Sequence, residues 1–202
     1  MTRKKQIEHT ATALFKTKGF SATSMRDLAH ALGIEAPSIY SHIRSKEEIL
    51  QRVCFRMAEE FFESIEGAEA TGITATDKLR NAIAAHVQVL TKDTEASAVF
   101  LHEWRHLSEP YLGEFIALRN KYEAHFRQLI KSGVENGEFA VPDEKFAALT
   151  ILSALNWIHT WYKPEGKMIP AEIADNLSAM LLNGLRTAAC ATAPGRLYIK
   201  QT

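Results

Sequence analysis

A chain of 202 residues with 46% apolar residues is long enough for one large or two small domains and can fill a real core, which excludes a disordered chain. The formal charge is zero overall. It is divided unevenly, with eight Lys and Arg against five Asp and Glu in residues 1–50, so a +3 N-terminal end precedes a −3 remainder. Two cysteines, Cys54 and Cys190, are too few and too far apart for a metal cluster and read as reduced thiols. No run of 18 apolar residues and no apolar stretch after Met1 to Lys5 occurs, so neither a membrane span nor a secretory signal is expected, and the expected location is cytoplasmic.

In chain order, residues 3–17 form the first expected helix, with Ile7, Ala11, Leu14 and Phe15 on one face and Lys18-Gly19 ending it. Met25, Leu28, Ala29 and Leu32 then fall at helical spacing behind a Thr23 or Ser24 N-cap. Gly33 suits the left-handed residue that stops such a helix. A second short helix follows, with Pro37 in its first turn and Ile39 and Ile43 as a narrow apolar seam. Its free side chains are Glu35, Ala36, Ser38, Tyr40, Ser41 and His42, small or hydrogen-bonding groups that a DNA major groove can admit. Ser45 to Glu48 reads as a capping box opening a long helix, with Lys46 placed to reach a phosphate beside the helix N-terminus.

These residues carry a resemblance to the TetR family of bacterial transcriptional repressors. The matches are Ala13, Phe15, Gly19, Phe20, Thr23, Ser24, Leu28, Ala29, Gly33, Ile34, Ser38, Tyr40 and Ser45-Lys46-Glu47, spread over residues 5–50. The resemblance implies that Thr23, Tyr40, His42 and Lys46 contact DNA, mostly its phosphates, while Ala36, Pro37 and Ser38 approach base edges. Two positions depart from the pattern: Glu35 stands where serine or threonine is common, and Ile43 where an aromatic is common.

The long helix should run from Lys46 to Ile65, leaving a small domain and entering a large one. Residues 67–76 are a loop, and helices are expected at 76–91, 94–107 and from Pro110 to Val134. His102-Glu103-Trp104-Arg105-His106 matches the H-E-x-x-H pattern, which on one helix would put two imidazoles on a zinc ion with Glu103 as general base and Glu123 or His125 as a third ligand. The wholly helical surroundings offer no substrate groove, so a zinc protein or metallohydrolase stands as the alternative reading, and a helical binding module without a DNA role as a third.

Residues 143–162 and 170–186 read as two helices joined at Lys163 to Gly166. Their main stripes hold Phe146, Leu149, Leu152, Leu155, Ile158 and Trp161, then Ile173, Leu177, Met180, Leu181 and Leu185, with further apolar groups off the stripe, including Trp157. Helices apolar on more than one face need more than one neighbour, and a second copy in a two-fold homodimer supplies it. Of these, Leu152, Leu155, Ile158, Ile173, Leu177, Met180 and Leu181 are the expected interface.

A second resemblance covers roughly residues 100–186. Glu103, Arg105, Leu107, Arg119, Tyr122, Gly133, Gly137-Glu138-Phe139, Ala154 to Trp157, Trp161 to Pro164, Gly166 and Glu172-Ile173-Ala174 resemble TetR-family regulators of fatty-acid, sterol-ring and phenylacetate breakdown, with Lys163 where arginine is more usual. The resemblance implies an acyl-CoA effector, with a small apolar or aromatic ligand, which would need no cations, as the alternative. An acyl chain needs an apolar tunnel, for which Phe100, Trp104, Phe115, Leu118, Tyr122 and Trp157 are candidates, and CoA phosphates need cations such as Arg105, Arg119, His159 and Lys163.

The expected molecule is all-α: a helix-turn-helix domain over 1–50, an effector-binding and dimerisation domain over 51–186, and a tail over 187–202. It is a repressor of a palindromic DNA operator and not an enzyme, with no cofactor and no bound metal.

Overall fold

The computed structural model describes residues 2–185, so Cys190 and the 187–202 tail lie outside the described residues. Ten α-helices and one 3-10 turn make up the described chain. Helix α1 (Arg3–Lys18) buries Ile7, Ala11 and Phe15 and ends at Gly19, whose φ of 84° suits glycine. Helix α2 (Met25–Leu32) begins at a complete capping box: Ser24 Oγ accepts from the Asp27 N–H at 3.1 Å, and the Asp27 carboxylate accepts from the Ser24 N–H at 2.8 Å. Gly33 closes it in the left-handed conformation, and Ile34 N–H returns to Ala29 O.

Helix α3 (Ala36–Tyr40) is only five residues long, with Pro37 in its first turn. The expected seam survives in an altered form. Ile43 lies beyond the helix end, but its N–H still donates to Ile39 O at 3.0 Å, so both isoleucines remain fully buried.

Helix α4 (Lys46–Glu69) spans 24 residues, about 36 Å at ~1.5 Å per residue. It buries Ile49, Leu50, Val53, Met57, Phe61 and Ile65 in one continuous core. Its cap differs from the expected box: Ser45 Oγ accepts from Glu48 N–H, but the Glu48 carboxylate turns back one residue further, to the Arg44 N–H at 2.9 Å.

Helix α5 (Ala75–Lys92) is the central element, packed by α4, α7 (Tyr111–Glu135) and α10 (Pro170–Leu185). At the far end of α7 the chain folds back so closely that Gly133 meets the Phe139 ring, where a Cβ would lie 2.1 Å from Cδ2.

Two expected long helices are broken. The 94–107 segment is α6 (Thr94–His102) followed by a 3-10 turn, η1 (Glu103–His106). The 143–162 segment is α8 (Glu144–Asn156) and α9 (Ile158–Trp161), parted at Trp157. At this second break His159 Nδ1 takes up the Asn156 carbonyl and Thr160 Oγ1 the Trp157 carbonyl, so side chains satisfy acceptors that a continuous helix would use.

Candidate nucleic-acid interface and effector cavity

The turn between α1 and α2, helix α3 and the start of α4 form one exposed end of the molecule. Pro37, Ser38, Tyr40 and His42 face solvent, and Ala36 is half-buried, so five of the seven residues expected to meet DNA lie on or beside the exposed side of α3. Beneath them Ile39 and Ile43 fix the helix to the core. An open concavity lined in part by Ser21, Ser24, Tyr40, Arg44 and Lys46 lies between the α2 N-terminus and the α3–α4 turn.

The other two residues sit differently from the expectation. Thr23 is 3% exposed, and its hydroxyl donates to Gly19 O at 2.8 Å, so it serves the turn. Lys46 Nζ donates to Phe20 O at 2.8 Å and Thr23 O at 2.9 Å, and stands 4.3 Å from the Phe20 ring centroid. A cation surrounded by carbonyls still contributes positive potential at this end, but its geometry is that of a clamp on the α1–α2 turn.

A cavity of about 240 Å³ lies between α4, α5, α6, α7 and α8. Five of the ten residues expected to bind an effector line it: Phe100, Phe115, Leu118, Arg119 and Tyr122. Trp104 stands just behind, packed 5.8 Å from the Phe115 ring and flanked by Arg105 at 4.6 Å and Arg119 at 4.7 Å. Neither guanidinium forms an ion pair among the described residues, and burial together with the Arg105 charge lowers the Arg119 pKa. Trp157, His159 and Lys163 do not line the cavity: Trp157 is 66% exposed, Lys163 faces solvent, and His159 packs on His102.

Sequence reasoning missed much of the wall, because α4, α5 and α8 contribute to it as well. Phe61 and Phe62 come from α4, His86 from α5, and Leu149, Leu152, Ser153 and Asn156 from α8. Burial lowers the His86 pKa to about 3. The ring is therefore neutral and has a single N–H. Asn156 Oδ1 accepts from Nε2 at 3.2 Å, and the Tyr122 hydroxyl donates to Nδ1 at 3.1 Å, which closes a three-residue network. Beside it the Glu123 Oε1 atom is buried without a hydrogen-bond partner.

The H-E-x-x-H pattern does not form a zinc site. The helix changes to a 3-10 turn at His102, which parts the two imidazoles. His102 Nε2 faces His159 Nε2, while His106 stacks on Phe20 at 5.4 Å. Glu103 accepts the Phe20 backbone N–H at 3.1 Å. Among the described residues no group of three His, Cys, Asp or Glu is placed to hold a metal ion. The one described cysteine, Cys54, is buried with its thiol pushed up to about 12.

The expected dimer stripe turns out to be largely core. Leu152, Leu155, Ile158 and Ile173 are buried within the chain, and Leu177 and Leu181 are half-buried. Met180, 75% exposed, is the only one of the seven that faces outward fully; Phe146 (69%), Leu149 and Trp157, outside the expected interface, are also exposed. No described helix is long and apolar enough to cross a membrane.

A family model described as bacterial regulatory proteins, tetR family, matches residues 7–53, and one described as tetracyclin repressor-like, C-terminal domain, matches residues 72–185. The HTH-type transcriptional repressor KstR2 of Rhodococcus jostii (strain RHA1) is 25% identical over 188 residues, 91% of each chain. Among solved structures, the TetR family transcriptional regulator PfmR from Thermus thermophilus is similar with a TM-score of 0.79 and 32% identity, over 90% of this chain and all of that one. AibR, solved in complex with isovaleryl coenzyme A and operator DNA, has a TM-score of 0.78 at 24% identity, over 90% and 98% of the two chains.

Proposed function

The chain belongs to the tetR family of bacterial regulatory proteins, and from that premise we propose that it represses transcription as a homodimer on a palindromic operator and lets go when an acyl effector fills its cavity. That it is a DNA-binding transcriptional repressor of this family, and not an enzyme, follows from the matches to the reader and to the C-terminal domain. In this reading residues 1–50 read DNA and residues 51–186 bind effector and partner, acting in the cytoplasm.

Reading DNA falls to α3. Ser38 and its neighbours Ala36 and Pro37 approach base edges, while Tyr40 and His42 meet phosphates. One five-residue helix spans too few base pairs for useful specificity, so two copies are needed. The surface that pairs them is the outward apolar face of α8 to α10, with Phe146, Leu149, Trp157 and Met180, since an apolar patch of that kind needs covering.

The observation that carries the effector reading is the cavity with Arg119 in its wall and Arg105 beside it. A volume of about 240 Å³ holds on the order of ten non-hydrogen atoms, so the acyl group enters and the bulk of a CoA moiety stays outside. The two arginines supply charge for an anionic group. The likeness in fold to AibR, a protein solved with isovaleryl coenzyme A, supports the same class of ligand.

An effector that favours the non-binding arrangement of the two readers by about 3–5 kcal/mol lowers DNA affinity by two to four decades. The test is binding of the purified protein to its own upstream DNA, at two salt concentrations, with and without a panel of acyl-CoA thioesters. Specific binding abolished by one thioester is the expected result. Binding indifferent to every thioester would discard the effector class and leave the repressor.

A further inference from the structure

Glu123 stands in the cavity wall. Its Oε1 is buried without a hydrogen-bond partner. His86 has spent its single N–H on Asn156, and the Tyr122 hydroxyl points at His86. Arg119 lies one turn earlier on α7, with Cβ atoms roughly 5–6 Å apart at that spacing, yet it stacks on Trp104 and forms no ion pair with Glu123. A buried carboxylate oxygen with no donor is expensive, and a ligand that brings one relieves it.

The charges around it decide what kind of donor. Arg105 and Arg119 are two cations against the single charge of Glu123, with His86 neutral. Glu69, the other nearby carboxylate, is occupied by His125. An ammonium would add a third cation to that balance, whereas a neutral hydroxyl adds none.

We propose that the portion of the effector buried in this cavity carries a hydroxyl group that donates to Glu123, and that the same molecule presents an anion to Arg105 and Arg119. The effector is thus a short hydroxylated acyl compound and not a plain acyl chain. The inference rests on the effector reading of the cavity. Its anion is either the phosphates of a thioester or the carboxylate of the free acid.

Calorimetric titration of the full-length protein tests it without an operator. The probes are hexanoyl-CoA, the matching thioesters with a hydroxyl on the third, fifth or sixth carbon, and the four corresponding free acids. For one hydroxyl position, the hydroxylated probe should bind about tenfold to a hundredfold more tightly than its unsubstituted partner. Glu123→Leu should erase that preference while leaving the unsubstituted probe as tight or tighter. Glu123→Gln, which keeps an acceptor and the side-chain shape, should give an intermediate preference and serves if the leucine variant does not fold. Whether the thioester or the free acid binds identifies the source of the anion. Equal binding of each pair, unchanged by Glu123→Leu, would overturn this inference and leave the effector reading intact. Binding of none of the eight probes would overturn both.

Discussion

The Phe20 backbone N–H donates to the Glu103 carboxylate at 3.1 Å, joining residues 83 positions apart in the chain. Phe20 belongs to the α1–α2 turn of the DNA reader, and its carbonyl is held by Lys46 while its ring stacks on His106. Glu103 opens the four-residue turn η1, whose next residue, Trp104, has the cavity-wall Arg119 over its ring at 4.7 Å. A displacement at Arg119 therefore has a short path of contacts to the reader. Glu103→Ala removes a hydrogen bond to an ionised group, worth about 1.5–3 kcal/mol. The expected outcome is an effector affinity within a few-fold of the parent but a smaller effect of effector on DNA affinity. Titrating DNA with and without effector, for both proteins, measures the coupling directly.

Lys46 and Ser38 should separate two kinds of contribution to DNA binding. Lys46→Ala frees two carbonyls of the α1–α2 turn and removes a charge, so it should lower the melting temperature and weaken binding to all sequences alike. Ser38→Ala, on the exposed side of α3, should leave stability unchanged and relax preference at one or two base pairs. Anisotropy titrations against an operator and its single-base variants, at fixed salt, distinguish the two. If neither substitution changed operator affinity, α3 would not be the reading helix.

How far the sequence led depends on the range of the forces involved. The helix-turn-helix frame was legible, because its capping oxygen at Ser24, its left-handed Gly33 and its buried isoleucines are local decisions, whereas the turn contacts of Thr23 and Lys46 were not. The breaks at His102 and Trp157 were not. They are made by contacts with Phe20 and by side-chain capture of carbonyls, which leave no periodic signal. Periodicity also found two apolar faces on α8 and α10 without telling which one points inward, so Leu155 and Ile173 were read as interface and proved to be core. Glu123 drew notice only as a metal ligand, since nothing in a linear sequence reveals a carboxylate left without a donor.

The outward face of α8 to α10 gives a direct test of dimerisation. Met180→Glu and Phe146→Glu place a charge on exposed apolar positions and should yield a folded monomer with helical content unchanged and much weaker operator binding. Leu155→Glu buries a charge in the core of the subunit and should instead prevent folding. Sedimentation equilibrium and circular dichroism read both. A dimer undisturbed by the first two substitutions would move the interface elsewhere.

His86 makes stability depend on pH in a window that can be assigned. In the unfolded chain the imidazole has its ordinary pKa of 6.5, while in the fold burial holds it down to about 3. Between these values the unfolded state takes up a proton that the folded state refuses, so its contribution is fully present above about pH 6.5 and is lost as pH falls toward 3. The slope from this one group is at most about 1.4 kcal/mol per pH unit. Carboxylates with lowered pKa values, such as Glu60 and Glu138, also destabilise the fold on acidification, so the parent curve alone cannot isolate it. His86→Gln, which retains a donor for Asn156, should be less stable than the parent at pH 7, and the difference should shrink or reverse by pH 4.5. Urea unfolding across that range reads the two slopes, and parallel curves would mean that the ring is charged in the fold.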